Sequence, residues 1–255
     1  MPLFRSWKRK RIHRKPFPGS WKVIAEKNVS HYRHLKDEYR SGLEKRMMVF
    51  IHEKRFEGCG GLQMTDEVRV TIAAQACLLL LGDASDYFPD LRTILVYPDS
   101  YIASVEQRTP HNTIIEGDEH RSGEAWTMGS IVLSWRDVLA GGRSYRDGRN
   151  LVFHEFAHQL DYELGATEGV MFYSENRNTM TWPSTILKAA DRHSLDIRVG
   201  RPTVLDSYGA TNLAEFFAVS LEAFMEKPRE LQREYPDYYA QLREQLGMNP
   251  QDLYD

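Results

Sequence analysis

Two imidazoles and a carboxylate stand together in residues 150–165, NLVFHEFAHQLDYELG, where His154, Glu155 and His158 have the spacing H-E-x-x-H. On a helix of about 3.6 residues per turn, positions four apart share a face, so His154 and His158 can aim at one ion. Glu155 follows the first imidazole directly. Its carboxylate therefore lies beside an open coordination position, where it can take a proton from water without being a ligand. With nine histidines in 255 residues, the pattern should arise by chance in about one such chain in forty. The setting is helical: Leu151, Val152, Phe153, Phe156, Ala157 and Leu160 supply an apolar surface, Asp147 or Asn150 can cap the start, and Gly165 suits the end.

A hydrolytic zinc site takes three protein ligands and leaves a fourth position for water. The short-spaced solution H-E-x-x-H-x-x-G-x-x-H fails, because Asp161 and Leu164 stand where glycine and histidine are required. The third ligand must come from further along the chain. Glu215, 57 positions after His158 and at the start of an apolar helix, is the first candidate, and Asp206 the second. An acid that opens a helix also favours the helix dipole, so its position has a purely structural use. Carboxylates that could orient the imidazoles are Asp161, on the same helix face, and Glu222, seven after Glu215. Tyr208, beside Gly209, can donate a hydrogen bond to an oxyanion. An exopeptidase also needs a group for the substrate amine, and Glu163, Glu168 and Glu175 are the carboxylates from which it could be drawn.

The elements that must position these groups follow from periodicity. Apolar residues three and four apart predict a helix over 30–53, and Thr65-Asp66-Glu67 starts a nearly all-apolar, deeply buried helix running to Gly82. TILVY, 93–97, reads as a buried strand. Residues 99–127 look polar and irregular, and His111 and His120 within them read as surface histidines. GSIVLSW, 129–135, reads as a strand, and as an edge strand it could hold an extended peptide. Beyond the metal helix, 166–201 reads as loop with a helix over 183–193, followed by helices over 213–225 and 235–245. The fold class expected is α+β, with a small mixed sheet, a helical part over 21–90 and a catalytic core over 91–255 forming one domain.

Composition narrows the rest. Two cysteines, Cys59 and Cys77, cannot make a disulfide framework and read as reduced thiols of a cytoplasmic protein. No run approaches the ~20 apolar residues of a membrane span. The net charge of −3 conceals seven basic groups and no acid in residues 1–15, which leaves −10 on the remainder. Residues 1–20 are read as a disordered solubilising arm, so nucleic acid is not expected as a partner.

HEFAHQLD followed by Y-G-A-x-N-x-x-E-F-F-A, with LVYP and G-x-I-V-L-S-W, resembles the Mlc titration factor A family of zinc peptidases, related in their core to the catalytic domain of anthrax lethal factor. The likeness covers most of residues 21–250. It implies a zincin-like, gluzincin-type fold, Zn2+ held by His154, His158 and Glu215, Glu155 as acid/base, and Tyr208 stabilising the transition state. It also implies aminopeptidase activity on peptides and, in some members, binding of the transcriptional repressor Mlc. The basic arm departs from that pattern.

Overall fold

The computed structural model describes residues 2–82, 86–99, 101–108, 114–121, 123–126, 129–163 and 182–254. The chain opens with four helices, α1 (Pro2–His13), α2 (Gly19–Asn28), α3 (Ser30–His34) and α4 (Asp37–Glu53), followed by the short strand β1 (Arg55–Gly58). The arm expected to be disordered is therefore helical. Its inner side carries Ile12, buried on Met48 and Val49, and Arg9, paired with Glu53 at 2.8 Å and lying over the Tyr87 ring. The expected helix over 30–53 is broken after His34, because Leu35 bridges to Tyr254 and the Lys36 N–H donates to Leu253 O.

Helix α5 (Asp66–Ala76) is capped by Thr65, whose side chain accepts from the Val68 N–H, and continues as a 3-10 turn over Cys77–Leu80. Its residues are buried from Val70 to Ala76, as a helix apolar on all sides requires. Strand β2 (Thr93–Tyr97) falls where its sequence placed it. The stretch expected to be irregular contains a hairpin of β3 (Tyr101–Arg108) and β4 (Ile114–Arg121), then β5 (Gly123–Trp126), while β6 (Ser130–Ser134) lies where a strand over 129–135 was expected. The polar composition of β3, β4 and β5 offers no apolar run to mark a strand, and polarity alone hid them.

The four-stranded sheet has the order β1-β2-β6-β5, with β1, β2 and β6 parallel and β5 antiparallel to β6. Four of the five residues of β6 are buried, because the strand is covered by the helices that follow it. These are α6 (Trp135–Arg143) and α7 (Leu151–Glu163), the latter packed on β5 and β6. The chain ends with α8 (Trp182–Arg198), a 3-10 turn over Ser207–Ala210, α9 (Leu213–Glu226), α10 (Pro228–Glu234), α11 (Pro236–Leu246) and a last 3-10 turn, Pro250–Asp252. The helix expected over 183–193 thus runs further at its C-terminal end. The architecture is α+β and dominated by helix. Among the described residues no helix is long and apolar enough to cross a membrane.

Polar side chains link the layers through the core. Asn28 Nδ2 donates to Thr71 Oγ1, and Asn150 Nδ2 donates to Gln75 Oε1, both at 3.0 Å; Gln75 Nε2 reaches Val138 O at 3.2 Å. Next to this chain lies His31, fully buried among the rings of Tyr145, Phe153 and Tyr254, with neither ring nitrogen hydrogen-bonded. Burial pushes its pKa down from 6.5 to about 3. The folded group binds a proton later than the unfolded one, so its contribution is complete above pH 6.5 and disappears as pH falls towards 3. A His31→Leu variant should show a flatter loss of stability between those values, read from denaturant midpoints against pH. An unchanged slope would contradict the burial argument.

Candidate metal centre

Helices α7 and α9 pack against each other, and each begins with an asparagine cap. Asn150 Oδ1 accepts from the Phe153 N–H at 3.1 Å, so of the two candidate caps it is Asn150 that serves. Asn212 Oδ1 accepts from the Glu215 N–H at 2.9 Å, fixing Glu215 in the first turn of α9. From there its carboxylate reaches across to α7. Glu215 Oε2 lies 3.0 Å from His154 Nε2 and 3.5 Å from His158 Nε2, and one donor atom from each of the three residues lies within 4.8 Å of the others. Donors held about 2.05 Å from a tetrahedral centre are about 3.3 Å apart, so two imidazole nitrogens and a carboxylate oxygen in this arrangement fit a divalent ion of zinc's size and ligand preference. Three such ligands would leave one position of a tetrahedral ion for water.

The other ring nitrogen of His154 faces Glu222. His154 Nδ1–H donates to Glu222 Oε1 at 2.9 Å, so that Nε2, once it gives up its proton, can turn its lone pair to a metal; the second Glu222 oxygen accepts the Asn150 N–H. Burial opposes a charge on His154, but hydrogen bonds to Glu215 and Glu222, with the nearby Glu155 charge, outweigh it and hold its pKa up at about 10. Burial likewise pushes Glu215 up, while its bonds to His154 and His158 prevail and bring it down to about 2. The pair is thus an ion pair when no metal divides it. Replacing Glu222 by Gln should weaken metal affinity about 10–100-fold, because the charged acceptor is lost and one amide oxygen cannot serve both the imidazole and the Asn150 N–H. Competition with a chelating dye measures this, and unaltered affinity would mean that Glu222 only packs.

Glu155 is 3% exposed, on the same helix as both imidazoles and close enough for its charge to act on His154. Tyr208 is more than half exposed, with its ring centroid 6.1 Å from that of His154. It is carried by the 3-10 turn of Ser207–Ala210, which packs tightly on α9. A Cβ at Gly209 would come within 2.5 Å of Val219 Cγ2, so glycine is needed there for close approach rather than for turning the chain.

Asp206, the second candidate for the third ligand, is turned elsewhere: Oδ2 pairs with Arg149 at 2.9 Å, and Oδ1 accepts the Tyr208 N–H at 3.0 Å. Asp161 is buried, and its charge acts on the Tyr238 phenol. Glu163 accepts from the Asp90 N–H at 3.1 Å and from Gln159 at 2.7 Å. Nine positions after His154 it lies about 180° around the helix from that imidazole. Glu168, Glu175 and His111 lie outside the described residues. Strand β6 is not an edge: it is flanked by β2 and β5, so the edge beside α7 belongs to β5. Asn150 was legible as a cap but not as a clamp on Glu222, since nothing local signals a partner 72 positions away.

Residues 4–246 match the family described as glucose-regulated metallo-peptidase M90. The chain belongs to that family. The Synechocystis sp. protein slr2042 is 38% identical over 252 residues, covering 98% of this chain and 91% of that protein. Mlc titration factor A of Yersinia pestis is 28% identical over 191 residues, covering 74% of this chain and 70% of its own, and that of Yersinia pseudotuberculosis gives the same figures. As an M90 chain the protein is a metallopeptidase whose substrates are peptides. The match begins at residue 4, so the basic arm lies within the family pattern and does not depart from it.

Proposed function

We propose that the protein is a zinc aminopeptidase of gluzincin type, with residues 21–255 as one zincin-like domain. The observation that carries this reading is the convergence of His154, His158 and Glu215 from two packed helices, with Glu155 adjoining. Zinc held by these three side chains would lower the pKa of a coordinated water to about 7 and polarise the scissile carbonyl. Glu155 takes the proton of the attacking water on its carboxylate and delivers it to the departing amine nitrogen. Tyr208 donates its phenolic hydrogen to the oxyanion that develops on the carbonyl. Glu222, and Asp161 on the helix beside the imidazoles, hold the ligands in place. Among the described residues β5 is the edge of the sheet beside α7, and its backbone groups can pair with an extended substrate.

Metal analysis with cleavage of aminoacyl anilides and N-blocked peptides tests this. Bound zinc and release of anilide only from substrates with a free amine are expected; a preference for blocked peptides would replace the exopeptidase reading by an endopeptidase one. Tyr208→Phe should lower kcat about 10²–10³-fold with little change in KM, and an equal rise in KM instead would move Tyr208 to ground-state binding.

A second reading rests on the printed name of the Yersinia relatives, Mlc titration factor A. The chain would then bind a repressor of the Mlc type, with the metal chiefly fixing the fold. In that case a Glu155→Gln variant keeps full affinity for such a partner.

A further inference from the structure

We infer that the outer face of α1 is a docking surface for an anionic phospholipid membrane. The helix has two unlike sides. Ile12 is buried on α4 and Arg9 is turned inward to Glu53 and Asp86, which fixes the opposite side as the one presented to solvent. On that side stand Trp7, Lys10 and Arg11 at i, i+3 and i+4, followed by Arg14 in the turn after the helix; Lys8 and Lys15 flank them. All are exposed, and Trp7 is 60% exposed. An indole exposed to this degree amid cations is costly in water and well placed at the level of lipid headgroups, where tryptophan concentrates.

The patch extends onto the folded body. His13 is held below its ordinary pKa by partial burial first and then by Lys45, Arg46 and Arg9, so cations of α4 adjoin those of the arm. The basic residues of 1–15 oppose a remainder of −10. Acids more than about 8 Å from a membrane are screened at physiological salt, so the orientation that presents α1 is the one in which attraction wins. A bilayer matches the shape better than nucleic acid does. Helix α1 lies along α4 with its inner half covered, which suits a plane and does not let the helix sink about 8.5 Å into a major groove.

Each basic residue near an anionic leaflet is worth about fivefold in partitioning. Co-sedimentation of the full chain with phosphatidylcholine vesicles containing about 30% phosphatidylserine should therefore show binding that pure phosphatidylcholine does not support and that 0.5 M salt removes. The triple variant Lys10→Gln, Arg11→Gln, Arg14→Gln should bind about 100-fold less. Trp7→Ala should lose about tenfold and retain the salt dependence. These side chains leave the packed face untouched, so thermal unfolding of the variants should match the parent. Equal partition into neutral vesicles, unaltered binding by the triple variant, or retention on an oligonucleotide without vesicle binding each overturns the inference, as does binding to neither.

Discussion

A Glu155→Gln variant is expected to lose about 10⁴-fold in kcat/KM while keeping its metal, the upper end of what general acid–base catalysis supplies. The size follows from the proposed mechanism, in which the residue serves twice, first as base towards water and then as acid towards the leaving amine. Glutamine preserves volume and hydrogen bonding at a site that is 3% exposed, so the fold should tolerate it. It cannot accept the proton. Metal content by atomic emission and steady-state kinetics on an aminoacyl anilide decide the matter together. Retained activity would remove Glu155 from the chemistry; lost activity with lost metal would show that the substitution damaged the ligand set instead.

Replacing Glu215 by Ala should reduce bound metal from about one equivalent to near none at micromolar protein, and abolish hydrolysis, because only two ligands then remain. It also leaves His154 facing a single carboxylate, Glu222. A linked pH effect follows in the parent protein. Without metal, His154 carries a proton up to about pH 10 against 6.5 when unfolded, so the ion-pair contribution is complete below 6.5 and is lost as pH rises through 10. A protonated imidazole offers no lone pair. Metal uptake near neutral pH must release that proton, and apparent affinity should climb with pH towards 10. Calorimetric titration in buffers of different ionisation enthalpy measures the release; no proton liberated at pH 7 would contradict the arrangement of His154 between Glu215 and Glu222.

Helix α7 was legible because its signals are local: four-residue spacing, an apolar surface and an asparagine cap lie within one short stretch. Glu215 could be picked out because its helix is strongly apolar and begins with an acid, although its crossing of α7 is a tertiary fact. Residues Glu222 and Asn150 show where reading stops. Each is ordinary in its own segment, and the bond between them exists only once α7 and α9 pack. Strand β2 was readable because it is short, apolar and bounded by proline, whereas β3, β4 and β5 are polar and gave no such contrast. The arm was misjudged for a related reason. Its charge suggested a solvated tail, but Ile12 and the turned-in Arg9 are enough to seat the helix on α4.

The entry into α7 is tethered to its neighbour by several bonds. The amides of Gly148 and Arg149 end on Glu226, that of Asn150 on Glu222, and the Asn150 side chain on Glu226 as well. Were α9 to swing away, the Gly148 and Asn150 main-chain donors would lose their acceptors together and Arg149 would keep only Asp147, so the two helices should part in one step. Deuterium uptake at residues 148–150 should consequently rise and fall with uptake across α9, reporting the two as one opening unit.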